Sequence, residues 1–356
     1  MIISSEIYMA KKRIGILTGG GDAPGLNAVI RAVTVKGIKS GYEIVGFEEG
    51  WRGLIEKKYR ILSLEEVEDI HLLGGTILGS SRTNVAKIKD GYEIAKKNLD
   101  DLHIHALVAS GGEDTLGVAL KLYKAGANML GVPKTIDNDV NATDYTFGFD
   151  TAINRVCDFL EMLRTTTESH RRVMVVEIMG RHAGWMALHG GIAGGAHMIL
   201  IPEVEVRIKE IVDLVRSRYE SGKKWAIIAV SEGATIPDLM RDVSHSSQLD
   251  DFGHVQLGTG KGIAEVLANA IEYETGYETR SLVLGHLQRG GRPTAFDRVL
   301  GTRLGVHVVT MIEQEKFGMM AALKGGEMMA VSLEDAVGSL KTVEASKYDT
   351  AKLFFG

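Results

Sequence analysis

Asp137 and Asp139 close the segment Pro133-Lys134-Thr135-Ile136-Asp137-Asn138-Asp139, which follows an apolar run. A hydroxyl nucleophile needs a carboxylate to take its proton, and a second acid nearby can orient the first or sense a metal. Lys134 adds positive charge suited to a phosphoryl group. A second cluster, Ser110-Gly111-Gly112-Glu113-Asp114-Thr115, sets two carboxylates side by side. Hard cations such as Mg2+ take one or two carboxylates together with phosphate oxygens, although acidic capping of a helix accounts for the pair equally well. A third, Gly19-Gly20-Gly21-Asp22-Ala23-Pro24-Gly25, joins a strand to a helix. Such a turn presents bare backbone N–H groups and a helix N-terminus to a phosphate, or serves as a turn alone. It is neither a Walker A loop nor the dinucleotide glycine pattern, and GTGKG at 258–262 also lacks Walker spacing and reads as a loop.

Cations flanked by glycine or polar residues recur at separate places: Arg82, Arg172, Arg181, Arg280, His286 and Arg289. In a chain of net charge −5 they read together as forks for phosphorylated ligands. The same net charge argues against a general nucleic-acid or membrane-surface binder. The single cysteine, Cys157, excludes an internal disulfide and fits a reducing compartment, so we expect a cytoplasmic protein. No apolar run approaches the ~18 residues of a membrane span, and Met1 to Lys12 has no signal-peptide core.

The elements that must position these residues alternate along the chain. At 356 residues, two domains are expected. The 43 glycines suggest many tight turns or close approaches to ligand. Apolar runs predict strands at Ile14 to Thr18, Glu43 to Phe47, Ala106 to Ser110, Asn128 to Val132, Val173 to Ile178, Met198 to Pro202, Ala226 to Ser231 and Ser281 to Leu284. Helical periods lie at Leu26 to Ser40, Thr115 to Ala125, Asp150 to Thr165, Ile208 to Ser221, Lys261 to Thr275 and Pro293 to Glu315. The alternation implies an α/β fold with mainly parallel sheets. Strands end directly in GGGD, GGED, PKTIDND, MGRHAG and EGA, and ligands in open α/β sheets sit at the carboxyl ends of strands. The five loops therefore share one site or two facing sites. Ala234 to Gly260 has little apolar period and reads as a surface loop or lid.

In this order, GGGDAPGLNAVIR, GGTILGSSR, GGEDT, PKTIDND, SHRRVMVVEIMGRHAGW, SEGA and LGHLQRGGRPTAFDR resemble the 6-phosphofructokinase family, from about Arg13 to about Val309. The resemblance implies a phosphotransferase making fructose 1,6-bisphosphate from fructose 6-phosphate in glycolysis or gluconeogenesis. It implies that Asp137 is the base for the sugar 1-hydroxyl, supported by Asp139, with Thr135 against the substrate or the transferring phosphoryl. Arg82, Arg181 and the Gly21 amide would stabilise the transferring group, with Mg2+ at Glu113. Met179, Gly180 and Glu232 would recognise the sugar. His286 and Arg289 would hold its 6-phosphate, joined by Arg172 and Arg280 of a neighbouring subunit in a homodimer or homotetramer with shared active sites.

We expect two Rossmann-like three-layer αβα domains with the active site in the cleft between them. Residues 1–148 plus about 288–338 would hold the phosphoryl donor, and about 149–287 plus 339–356 the sugar phosphate. ATP-using members typically carry GGDGS and PGTIDND, where this chain has Asp114 and Lys134. A carboxylate at 114 repels a nucleotide phosphate, and Lys134 suits pyrophosphate, so the pair resembles pyrophosphate-dependent members. ATP as donor, and a catalytically silent phosphosugar-sensing subunit, are the alternative readings. Glu113 stands where many members have Asp. At the family's allosteric nucleotide site, Arg31, Arg164 and Lys223 match basic positions, whereas Val35 and Ser221 replace two others.

Overall fold

The computed structural model describes residues 11–239 and 262–356. GTGKG up to Lys261, the stretch from Met240 to Gly260, the start of the helix expected at Lys261 and residues 1–10 of the leader lie outside them. The first part of the chain runs β1 Arg13–Thr18, α1 Leu26–Lys39, β2 Glu43–Phe47, α2 Trp51–Glu56, β3 Tyr59–Ile61, α3 Gly91–Asp101, β4 Ile104–Gly111, α4 Glu113–Lys124 and β5 Met129–Pro133. Then come α5 Phe149–Ser169, β6 Val173–Ile178, α6 Trp185–Ala193, β7 Met198–Leu200, α7 Ile208–Glu220, β8 Ala226–Ser231, α8 Ile263–Thr275 and β9 Thr279–Val283. The chain closes with α9 Ala295–Glu313, β10 Met319–Lys324, β11 Glu327–Ser332, α10 Leu333–Val337 and α11 Ala345–Lys352.

These strands form two sheets, ordered β11-β10-β5-β4-β1-β2-β3 and β7-β8-β6-β9. Side chains alternate across each sheet because the strand period is two. On β1, Ile14 and Ile16 pack with Val29 and Val33 of α1 and Leu304 of α9, whereas Leu17 shares the opposite core with Leu116 and Ala119 of α4. On β6, Val176 and Ile178 face Val156 of α5 and Met186 of α6, whereas Val173 and Val175 face Val215 of α7 and Leu267 of α8. The central strands of each sheet are thus buried on both faces, giving two three-layer αβα units.

The expected strands and helices are present, with shifts at their ends. β7 stops before Pro202, which has no N–H to give a ladder. β9 begins two residues before the expected Ser281. The larger sheet is mixed, because β3 and β11 pair antiparallel at its two edges. The β10–β11 hairpin turns through Gly325 and Gly326, both at positive φ, a glycine pair that signals such a turn. Helix α6 is apolar nearly all round and mostly buried, so it carries no amphipathic period to read.

The chain leaves the larger sheet through α5 and returns to it through α9. Helix α5 has no side-chain cap of its own at Gly148. Fully buried Asp297, in the first turn of α9, supplies it instead, accepting from Gly148 N at 2.9 Å, Thr151 N at 2.8 Å and Thr151 Oγ1 at 2.6 Å. Thr294 caps α9 by accepting from Asp297 N, and its hydroxyl donates to Asp150 Oδ2 at 2.5 Å. Asp297 of α9 thus caps α5, while Thr294, the cap of α9, is tied to α5 through Asp150 and by donating its N–H to Thr151 Oγ1 at 3.0 Å. Asp297→Ala leaves these buried donors unpaired and is expected to cost about 2–4 kcal/mol, read as a lower urea midpoint. An unchanged midpoint would refute this bracing.

Candidate active site

β1, β4 and β5 are neighbours in the larger sheet, so the glycine turn, the GGED loop and the PKTIDND loop leave it side by side. Backbone bonds fix them: Gly19 N–H donates to Ser110 O at 3.0 Å, Gly20 N–H to Ser81 O at 3.1 Å and Lys134 N–H to Gly111 O at 3.0 Å. The second of these ties the loop carrying Arg82 to the glycine turn. Lys134 is 4% exposed, and its ammonium donates to the Gly21 carbonyl at 2.6 Å. Asp137 N–H donates to Thr135 Oγ1 at 3.1 Å, and Asn138 follows in the left-handed region at φ 53°. Asp137 Oδ1 is buried and has no hydrogen-bond partner among the described residues. A buried acceptor left open is costly, and here it is suited to a ligand hydroxyl.

The smaller sheet brings its own loops to the same place. Gly180 has φ 134°, and a Cβ there would lie 2.7 Å from Ala183 O and 2.9 Å from Ser231 Oγ, so only glycine fits. Ser231 Oγ donates to Gly180 O at 2.5 Å, and Glu232 N–H donates to Ile178 O at 2.8 Å. Buried Gln288 fastens the turn carrying His286 and Arg289 to the end of β6, accepting from Met179 N at 3.2 Å and donating to Gly285 O at 3.0 Å. From that turn Arg289 reaches the other sheet, where Nη1 donates to Asp22 O at 3.1 Å. It crowds Gly21 so closely that a Cβ there would lie 2.8 Å from Nη1.

Electrostatics shows the same convergence. Burial and then the Asp139 charge raise Asp137 to about 6, against the pull of Arg289, Lys134 and Arg181. Asp139 is raised as well, first by burial, with its Thr135 hydrogen bond opposing and Glu113 adding to the rise. Burial, then Asp137, pushes Glu232 up to about 7, with Arg181 opposing. Burial and Arg289 pull Lys134 down to about 8, while Asp137, Asp139 and Asp22 act the other way. The five loops thus meet at one site between the sheets.

Glu113 and Asp114 form the acidic first turn of α4. No group of three or more His, Cys, Asp or Glu suited to a metal occurs among the described residues. The donor chemistry nevertheless fits Mg2+, which commonly takes one or two carboxylates and completes its shell with phosphate and water. Arg172 and Arg280 stand apart from the other candidates. Arg172 precedes β6 and Arg280 is the second residue of β9, and both pair with Glu278, at 3.4 and 3.1 Å. Arg172 is thus a six-residue strand away from Met179, roughly 20 Å at the usual rise. Sequence reading missed Gln288, Asn138 and Lys341, each of which has a partner distant in the chain.

Removing a cation from beside a carboxylate favours the protonated acid. Arg289→Met is therefore expected to raise the Asp137 midpoint above about 6, followed by carbon-13 NMR of the carboxyl in the ligand-free protein. An unchanged or lower midpoint would contradict the contact across the cleft.

Residues 13–312 match the phosphofructokinase family. The chain is 54% identical over 346 residues to a pyrophosphate–fructose 6-phosphate 1-phosphotransferase of Amycolatopsis methanolica, across 97% of this chain and 100% of that one. It is 47% identical over 341 residues to an ATP-dependent 6-phosphofructokinase of Streptomyces coelicolor, across 96% and 99% of the two chains. The crystal structure of Pichia pastoris phosphofructokinase in the T-state superposes with a TM-score of 0.81 at 30% identity, covering 99% of this chain and 37% of that one. This chain is a member of the phosphofructokinase family.

Proposed function

We propose that this enzyme transfers a phosphoryl group between pyrophosphate and the 1-hydroxyl of fructose 6-phosphate, reversibly, in cytoplasmic glycolysis or gluconeogenesis. The observation that carries the choice of donor is Lys134, a buried ammonium bonded to the carbonyl of Gly21 within the glycine turn. It supplies a fixed positive charge to a diphosphate. The helix terminus beside it already carries Glu113 and Asp114 in its first turn, so its positive dipole end is compensated, and Asp114 repels an additional nucleotide phosphate.

In this reading residues 1–148 with about 288–338 form the donor domain, and about 149–287 with 339–356 the sugar domain. The sugar O1 attacks phosphorus and the P–O bond to the leaving phosphate breaks, while Asp137 accepts the hydroxyl proton through its open Oδ1. Asp139 supports that carboxylate, and Thr135 holds the backbone N–H of Asp137. Arg82, Arg181, Lys134 and the Gly21 amide offset charge on the transferring group. Met179, Gly180 and Glu232 bind the sugar, and His286 and Arg289 its 6-phosphate. Mg2+ held by Glu113 with diphosphate oxygens would neutralise part of the phosphate charge. An intact base argues against a silent, sensing subunit.

With Mg2+ and fructose 6-phosphate, fructose 1,6-bisphosphate is expected from pyrophosphate and not from ATP. Turnover with ATP alone would reverse the donor assignment in favour of the second reading, which the ATP-dependent relative supports. Asp137→Asn is expected to lower kcat by roughly two to four orders of magnitude, and near-normal turnover would remove Asp137 as the base.

Arg172 before β6 and Arg280 on the largely exposed strand β9, both remote from Met179, support a role for this pair in binding a neighbouring subunit's sugar phosphate in a homodimer or homotetramer. Co-expressed Arg172→Ala and Asp137→Asn chains are then expected to recover activity that neither variant has alone at low fructose 6-phosphate. No recovery in isolated mixed oligomers would exclude shared sites.

A further inference from the structure

The loop from Asp137 to Thr146 has to hold a carboxylate at a fixed point with little regular structure of its own. Asn138, between the two acids, is left-handed and buried. Its Oδ1 accepts from Thr146 N at 3.0 Å and from Lys341 Nζ at 2.9 Å. The same ammonium donates to Thr143 O and Asp144 O, both at 2.9 Å. All three donors of the lysine are therefore used on this one loop. The backbone adds to the grip: Lys341 N–H donates to Asp139 O at 2.8 Å, Leu340 forms an antiparallel bridge with Val140, and Asn141 Nδ2 donates to Ser339 Oγ at 3.0 Å.

On its other side the segment is anchored to the smaller sheet's unit. Trp185 Nε1, at the start of α6, donates to Lys341 O at 2.7 Å. Val343 N–H donates to Glu203 Oε1 at 2.8 Å, and that carboxylate also receives Gly184 N–H. Lys341 thus grips a loop of the larger sheet from a segment fixed to the smaller one.

We propose that Lys341 is a positioning residue for catalysis, holding the acid loop so that the Asp137 carboxylate meets the sugar hydroxyl. The proposal rests on Asp137 as the proton acceptor. Misplacement of a reacting group by about 1 Å costs on the order of 10²-fold in rate, and loss of the ammonium leaves three loop acceptors without their shared donor. The sugar-binding residues Met179, Glu232, His286 and Arg289 are held by bonds that do not involve Lys341, so binding of the sugar phosphate is expected to survive.

The test compares Lys341→Met, Lys341→Gln and Asp137→Asn with the unaltered enzyme, measuring kcat and KM with Mg2+, pyrophosphate and fructose 6-phosphate, and fructose 6-phosphate Kd by calorimetry. Lys341→Met is expected to lower kcat on the order of 10²-fold with Kd within about twofold. Lys341→Gln, which retains an amide donor toward the loop, is expected to recover part of that loss, and it carries the test if the Met variant does not fold. A kcat within about twofold of the unaltered enzyme in a folded variant, or a loss of binding with kcat unchanged, overturns the positioning role. If Asp137→Asn itself keeps its turnover, the failure lies with the base assignment and not with Lys341.

Discussion

A buried ammonium bonded to a backbone carbonyl sets the terms for everything around it. Lys134 sits within the glycine turn with almost no solvent, and a buried charge is tolerated only where opposite charge and hydrogen bonds compensate it. Asp137, Asp139 and Asp22 supply that compensation, while Arg289 works against it. Burial, only partly offset by the attraction between the two groups, leaves Asp137 raised to about 6 and Lys134 lowered to about 8. Between those values the carboxylate is free to take a proton while the lysine still carries charge. One electrostatic arrangement thereby suits both halves of a phosphoryl transfer at neutral pH.

That arrangement spans two sheets, so it holds only if the units they belong to are held in register. Asp297 and Thr294 couple the helix that enters the smaller sheet's unit to the helix that leaves it. Lys341 couples the acid loop to Trp185. Arg289 reaches from the turn beyond β9 to the glycine turn. These contacts join the two units at the helix starts, at the acid loop and at the glycine turn, and each is polar and directional. Polar joints of this kind define a geometry more sharply than apolar contact does.

The loops that build the site were legible because strand runs ending in glycine or acid are local patterns. The residues that fix those loops were not, because their partners lie far away in the chain: Lys341 is 203 positions from Asn138, and Asp297 is 146 from Thr151. Helix α6 left no period because it is buried nearly all round. The Gly325-Gly326 turn was a signal present but unread. Relatives at 54% and 47% identity carry different donors in their names, so overall similarity does not separate the two chemistries. In the proposed reading the distinction rests on the charges at positions 114 and 134.

A crystal structure with fructose 6-phosphate and imidodiphosphate, a non-transferring analogue of pyrophosphate, tests this most directly. The analogue is expected against Lys134 and the glycine turn, with the sugar 1-hydroxyl within about 3 Å of Asp137 Oδ1. A diphosphate seated away from Lys134, or an Asp137 carboxylate facing no sugar hydroxyl, would contradict the assignment.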